Sequence, residues 1–379
     1  MRESNRIIGD CPPDSRVYGK LHRRSACRPL RIPAPIEQDL GMPRQDSGED
    51  LPGSDRLDRV SGLRPHRPAK SSAVARSKAF RFPRLSIHLM QTLAVCAVLL
   101  LLTPALPAQF QAVRIQVIDR GQADGILIRT PNSKWIVIDA GTNKQQADAM
   151  KNEWGVDEVA LAIVSHRHFD HQGGMDEVLS GFTVRKFLGV TEDCDPTKPN
   201  DSDDMVRNVL TSKGIPVENL GVGAIEIDGV TVRVLPLPPR SKCPSEENNN
   251  SVVVRLEFGK FSMLFMGDAE EKELDFLAGN HPELLSAEVL KAGHHGSQNA
   301  FTGEFLKAVS PKQVVISAGV NKRFAHPRPE AVAAYLKVTG NKLFCTNRQG
   351  TIRVYGFRDG RTRVNVQRES DKSCVFDGT

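Results

Sequence analysis

Residues 161–174 read LAIVSHRHFDHQGG. The first five form a short apolar run of the kind that makes a buried strand, and the run delivers His166 at its C-terminal end. His168, Asp170 and His171 follow, so four ligand-type side chains fall within six residues. Active groups collect at strand ends in layered α/β folds. Alternating His166 and His168 can face one metal ion, while Asp170 and His171, on the following turn, point toward a second. Imidazole and carboxylate ligands at about 2.0–2.2 Å suit Zn²⁺ and related borderline ions. A polar loop of solvated histidines is the bland alternative, and four such groups in so short a span argue against it.

Other stretches add to this cluster. FMGDAE puts Asp268 at the end of another apolar strand. A lone carboxylate there usually caps a helix, but beside a histidine cluster a metal-bridging role is the stronger reading. LKAGHHGS supplies His294 and His295 after a third strand, and NKRFAHP supplies His326 after a fourth. Either of the paired histidines can serve the second metal. His326, held by Pro327, is assigned to transition-state stabilisation or leaving-group protonation rather than to a primary metal bond. Among the histidines after the first hundred residues, His281 alone reads as an ordinary surface residue.

The surrounding pattern sets the fold. VRIQVID, GILIRT and WIVIDAG, from Val113 to Gly141, predict three strands joined by turns. Asn143 to Trp154 has helical composition, and another helix starts after Gly173 and Gly174. Thr191 to Asn250 is polar and loop-rich except for a helix near Met205 to Ser212 and the hairpin-like IEIDGVTVRVLPLP, and reads as a covering insertion. Strand and helix then alternate, with helices near Glu270 to Ala278, Glu304 to Val309 and Pro329 to Lys337. Two β-rich halves with helices outside imply an α/β protein built as a four-layer α/β/β/α sandwich. The domain is expected over residues 109–360, with 361–379 as a C-terminal tail.

Charge separates this domain from what precedes it. The chain of 379 residues carries a formal net charge of +6, but residues 1–89 hold 18 Lys and Arg against 10 Asp and Glu, which leaves 33 against 35 in the remainder. The basic excess therefore gives no ground for a strongly cationic folded domain. Residues 1–84, rich in Pro, Arg and Ser, read as a disordered leader. Residues 85–108 follow with a basic flank, the apolar run Leu93 to Leu102 and small residues ending at Ala108, the pattern of a signal peptide or membrane anchor. Translation is expected to begin near Met90, which would make the leader an artefact of the gene model or a dispensable extension. The protein is then exported, periplasmic or secreted, touching the membrane only through this segment. Four cysteines follow the apolar run, and none has CxxC spacing. Cys194 and Cys243 flank the hairpin-like strands, and a disulfide between them is expected in an oxidising compartment.

These stretches together resemble the metallo-β-lactamase superfamily, and within it the C-terminal hydrolase domain of ComEC-type DNA-uptake proteins. That branch reads DVGQGD, IDxG, SHxHxDHxGG, GD and LKxxHHGS, then an SxG stretch closing on HP. The counterparts here are Asp119 to Asp124, Ile138 to Gly141, Ser165 to Gly174, Gly267-Asp268, Leu290 to Ser297 and Ser317 to Pro327. They run in collinear order over about residues 113–356. Arg120 and Ala123 stand where the branch has Val and Gly, and are expected to stiffen or crowd the loop near Asp124. The resemblance implies a metallo-β-lactamase sandwich with one or two Zn²⁺ ions, Mn²⁺ being the alternative, that activate water. It further implies that Asp170 or Asp268 orients that water and that Asp139 fixes a ligand histidine.

Well-known members complete the first metal site with a separate histidine, yet none occurs from Gln172 to Gly267. Asn249, Asn250 or water is left to complete it beside His166, His168 and Asp268. The implied activity is hydrolysis of phosphodiesters or nucleic acid. The alternatives are a lactam, lactone or small-ester hydrolase and a non-enzymatic, metal-stabilised surface module. Either way the partner is a small-molecule or nucleic-acid substrate, with no obligate protein partner evident.

Overall fold

The computed structural model describes residues 111–191, 201–218, 221, 223–239, 246–320, 322–370 and 374. The basic leader, the apolar run Leu93 to Leu102, Cys194 and Cys243 lie outside the described residues. Among the described residues no helix is long and apolar enough to cross a membrane.

The first half runs β1 (Ala112–Val117), β2 (Gly125–Arg129), β3 (Trp135–Ala140), α1 (Gln145–Asn152), β4 (Glu158–Ile163), α2 (Phe169–Gln172), α3 (Met175–Gly181), β5 (Thr183–Val184), β6 (Phe187–Leu188), α4 (Ser202–Lys213) and β7 (Val217–Glu218). The second runs β8 (Gly223–Ile227), β9 (Val230–Val234), β10 (Val254–Phe258), β11 (Phe261–Phe265), α5 (Glu271–Asn280), β12 (Val289–Lys291), α6 (Gly303–Val309), β13 (Gln313–Ile316), α7 (Pro329–Thr339), β14 (Leu343–Cys345), α8 (Thr346–Gln349), β15 (Ile352–Phe357) and β16 (Thr362–Val366). One sheet has the order β16-β15-β1-β2-β3-β4-β6-β7, with β5 beside β4; the other has the order β14-β13-β12-β11-β10-β9-β8.

The two-residue period of a strand assigns each side chain to a layer. Ile126 and Ile128 of β2, Ile136 and Ile138 of β3, and Phe261, Met263 and Phe265 of β11 meet in a core between the sheets. Their neighbours Leu127 and Val137 face outward, onto Ala147 and Met150 of α1, Val178 of α3 and Leu210 of α4. Leu264 and Leu290 face the other way, onto Leu274 of α5, Phe305 of α6 and Tyr335 of α7. Three apolar layers between two helical layers and two sheets make the predicted α/β/β/α sandwich. Each buried aliphatic side chain contributes about 1.5–3 kcal/mol relative to exposure.

Two expectations are corrected. Thr191 to Asn250 is not a covering insertion: α4 packs on the outer layer through Val206 and Leu210, and β8 and β9 are the edge strands of the second sheet. Residues 361–379 are not simply a tail. Strand β16 pairs antiparallel with β15 from Gly356↔Thr362 to Ile352↔Val366, extending the first sheet.

Cys345 and Cys374 form a disulfide across a sequence separation of 29. A bridge between Cys194 and Cys243 remains an expectation from the sequence. Peptide mapping without reduction is expected to recover both pairs, and Cys374→Ser to cost about 3 kcal/mol. Free thiols at Cys345 and Cys374 in the purified, unreduced protein would reject the pairing.

Candidate metal centre

Strand β4 ends at Ile163, and the next residues, Val164 to His168, make a crossing toward the second sheet before α2 begins, the Ser165 carbonyl accepting from the backbone N–H of Val252 at 2.7 Å. Arg167 holds this crossing in place: its Nε and Nη2 donate to the two carboxylate oxygens of Glu247 at 2.9 and 2.7 Å. On the opposite side β11 ends at Phe265, and Gly267 adopts φ +54°. A Cβ there would lie 2.9 Å from Cβ of Ser165, so glycine permits the close approach that brings Asp268 to the histidines. Asp268 does not cap a helix; Glu270 occupies the N-cap position of α5.

Among the described residues, three groups of ligand-type atoms lie close together: Asp124, Asp139 and His171 form one, in which Lys291 already pairs with Asp124, and the other two meet at Asp268. Of these two, His166, His168 and Asp268 form the first, and Asp170, His171, Asp268 and His295 form the second, so Asp268 belongs to both. The separations are 3.0 Å for His166 Nε2 to His168 Nδ1, 3.2 Å for His171 Nε2 to Asp268 Oδ1, 3.3 Å for His295 Nε2 to Asp170 Oδ2 and 3.7 Å for His295 Nε2 to Asp268 Oδ2. Two ligands about 2.0 Å from a tetrahedral ion stand about 3.3 Å apart. His171 Nε2 and Asp268 Oδ1 are buried and, among the described residues, have no hydrogen-bond partner, a cost of about 1–3 kcal/mol each that a cation between them would remove. The residues therefore fit a pair of divalent ions.

The surroundings decide which nitrogen each ring offers. Ser165 Oγ donates its one hydrogen to Asp139 Oδ2 at 2.7 Å. It can then only accept from His166 Nδ1 at 3.1 Å, which leaves Nε2 of His166 with its lone pair toward the site. Asp139 Oδ2 accepts from His171 Nδ1 at 2.9 Å, and the Ser317 carbonyl accepts from His295 Nδ1 at 3.0 Å. Both rings thus present Nε2 inward, the arrangement expected where a neighbour fixes the ligand tautomer. Asp139 is thereby placed beside His171. Asp139 adopts φ +56°, a left-handed conformation that aspartate tolerates better than most residues.

The paired histidines separate. His294 and His295 both have positive φ, +40° and +52°, and this strained turn sends their rings apart. His295 joins the second group. Nδ1 of His294 lies 2.8 Å from Glu270 Oε1 and its ring meets His326 edge-on at 5.3 Å, outside both groups. Oδ1 of Asn249 accepts from the backbone N–H of Glu273 in α5. Gln122 Nε2 donates to His326 Nδ1 at 3.4 Å, so Nε2 of His326 carries the hydrogen.

Protonation follows burial and charge. Burial, with the charge of His171 beside it, holds His166 well below the usual histidine range. Burial also pulls on His171, yet Asp268 and Asp139 outweigh it and raise its pKa well above that range. For His295 the same opposition between burial and the carboxylates of Asp268, Asp124 and Asp170 ends at about 10. A metal must displace these protons to bind. Burial and the charges of His294 and His295 bring His326 down to about 4, so it is neutral at pH 7.

One element of the site went unrecognised in the sequence. Lys291, fully buried at the end of β12, donates from Nζ to Asp124 Oδ2, whose other oxygen lies 3.5 Å from His295 Nδ1. A lysine inside the apolar strand VLK needs a buried partner, and that was the available signal. Arg120 ties its loop to α1 by donating to Gln146 Oε1 and the Gln145 carbonyl. Its side chain also lies against Gly125 and Gly141.

The family model described as Metallo-beta-lactamase superfamily matches residues 118–320, more than half of the chain. The chain belongs to that superfamily. It is 26% identical over 308 residues to ComE operon protein 3 of Bacillus subtilis (strain 168), covering 76% of this chain and 38% of that protein. It is 29% identical over 299 residues to Competence protein ComA of Neisseria gonorrhoeae, covering 73% and 39%. The chain thus spans about two fifths of the length of these curated relatives. Among solved structures it is similar to CmlA, a diiron beta-hydroxylase from Streptomyces venezuelae, at 12% identity and a TM-score of 0.44, covering 67% of this chain and 54% of that one.

Proposed function

We propose that this member of the superfamily is a metal-dependent phosphodiesterase that acts on nucleic acid outside the cytoplasm. The observation that carries the reading is the sharing of Asp268 between two ligand groups, because paired ions suit the in-line displacement of phosphodiester oxygens. Similarity to Competence protein ComA, with the resemblance to ComEC-type DNA-uptake proteins, supports nucleic acid as the polymer, and the apolar run Leu93 to Leu102 supports export. Zn²⁺ is the ion of choice for imidazole and carboxylate donors, with Mn²⁺ next. His166, His168 and Asp268 would hold one ion, and Asp170, His171, His295 and Asp268 the other. When bound, such ions supply Lewis acidity and water activated near neutral pH.

The chain's own residues do the rest. Asp139 and the Ser317 carbonyl keep the Nε2 atoms of His171 and His295 directed inward. Asp170, half-buried, has Oδ2 within reach of His295 and of solvent, so it can orient a nucleophile. His326, neutral and hydrogenated on Nε2, can donate a hydrogen bond to a developing anionic oxygen. His326→Ala is therefore expected to retain full metal content and lose about 10²–10⁴ in turnover. Loss of a metal equivalent in that variant would make His326 a ligand instead.

The purified full chain, loaded with Zn²⁺ or Mn²⁺, should be tested side by side on bis(p-nitrophenyl) phosphate, single-stranded DNA and a β-lactam. Cleavage of both phosphodiesters with the lactam untouched is expected. Preferential lactam turnover would overturn the reading, and a metal-loaded chain inert toward all three would point to a surface module.

A further inference from the structure

Among the described residues, helices cover only half of the outer face of the first sheet. Helices α1, α3 and α4 pack on β2, β3, β4 and β6, whereas β1, β15 and β16 contribute nothing to that helical layer. The uncovered half carries a transverse row set by antiparallel register: Trp135 of β3 opposes Arg129, Arg129 opposes Arg114, Arg114 opposes Tyr355, and Tyr355 opposes Arg363. Residues directly opposite one another share a face, so the row runs about 19 Å across five strands. One pleat along, Arg353 opposes Gln116 and Asn365.

This face holds four guanidinium groups and little to balance them. Among the described residues, none of Arg114, Arg129, Arg353 and Arg363 forms an ion pair with a carboxylate; Arg129 instead donates to Ser133 Oγ and lies over the Trp135 ring at 5.3 Å, and Arg363 donates to Asn365. Like charges directly opposite, as Arg114 and Arg129 are, destabilise a sheet. A cavity of about 350 Å³ opens here, lined by Arg114, Arg129, Arg353, Trp154 and Tyr355, with Glu153 its one acidic lining residue. Both aromatic rings are half-buried and offer part of their surface.

We propose that this strip binds the backbone of single-stranded nucleic acid, apart from the metal centre. Arginines without a carboxylate partner among the described residues would neutralise successive phosphates, and Trp154 and Tyr355 would stack on bases, the combination by which sequence-tolerant single-strand binders work. The choice of nucleic acid as the polyanion rests on the proposed activity. The strip would hold a polymer while one of its linkages is cut, and a small phosphodiester would not need it.

The test is fluorescence anisotropy of a labelled, nuclease-resistant phosphorothioate strand of about twenty nucleotides, titrated with the metal-loaded full chain. Combining Arg114→Gln with Arg353→Gln is expected to weaken binding about tenfold and to reduce the slope of log affinity against log salt by about 1.4. Arg114→Lys with Arg353→Lys should keep most of both. Turnover of bis(p-nitrophenyl) phosphate should stay at the wild-type level in all variants. If the glutamine pair melts early, the exposed edge variant Arg363→Gln provides the same reading with half the slope change. Wild-type affinity in the glutamine variants overturns the proposal. So does binding of the wild type to phosphatidylserine vesicles but not to the strand. An ordinary phosphodiester strand of the same sequence that is held through these arginines yet never cleaved would reject the nuclease reading and leave the strip standing. Cleavage with unchanged affinity in the variants would do the reverse.

Discussion

Asp268→Ala is expected to leave the purified chain with neither metal ion and to lower phosphodiester turnover by about 10³-fold or more. Both ligand groups contain this carboxylate, so one substitution takes a donor from each. A bound ion contributes several kcal/mol to the transition state, and each 1.36 kcal/mol is a factor of ten. The fold should survive, because Asp268 follows β11 rather than packing within it. The residue is nonetheless coupled to its surroundings. Burial works against its charge, but His171, His295 and His166 hold the carboxyl well below the usual range. Elemental analysis beside circular dichroism checks the expectation, with His281→Ala as a control that should change neither metal content nor rate. A folded Asp268→Ala protein that keeps two metal equivalents would show that the shared carboxylate is not a ligand.

Lys291→Met is expected to be the most destabilising single substitution near the site, by about 3–5 kcal/mol, or about 10 °C in Tm. The substitution leaves Asp124 as a buried charge without its lysine. In the wild type, burial pushes the Asp124 carboxyl up, but Lys291, His295 and His171 more than offset this and hold it below the usual range. Its folded pKa lies below the unfolded value of about 3.9. The interaction therefore stabilises fully above that value and is lost as pH falls through the folded one. In the variant the carboxyl rises instead, so the deficit should be largest at neutral pH and should shrink toward acid as the group protonates. Adding Asp124→Leu to Lys291→Met should recover much of the loss, since an apolar pair can replace a buried ion pair. Urea unfolding at pH 5 and pH 7.5 measures both effects. A Lys291→Met protein as stable as wild type at pH 7.5 would mean that the buried pair contributes nothing.

The elements that were legible in advance are those in which local pattern and burial agree. LAIVS and FSMLFM are apolar on both faces because each is covered on both sides, by the other sheet and by helices. QADAM in α1 and AVAAY in α7 carry their apolar stripe on the one face that packs. Strand β16 escaped because it is an edge strand: TRVNV is half exposed along its length, so its alternation carries little contrast. Thr191 to Asn250 misled for a related reason. Its helix and hairpin are short and bordered by polar residues, and only the sheet order shows that β8 and β9 extend the second sheet.

The sequence by itself determined that this chain builds a two-sheet sandwich with a histidine and aspartate cluster at its strand ends, because strand periodicity and ligand spacing are local properties of the chain. It also singled out Asp268 at the end of an apolar run, whereas Asp139 entered through the resemblance to the family. Tertiary structure alone decided that His295 rather than its neighbour His294 joins Asp170 and His171, since two adjacent left-handed residues turn the rings in different directions. It alone joined Asp124 to Lys291, 167 residues apart. It likewise aligned Arg114 with Arg129 and Tyr355 across three strands. Contacts of that range follow from sheet order and register, which no window along the chain contains.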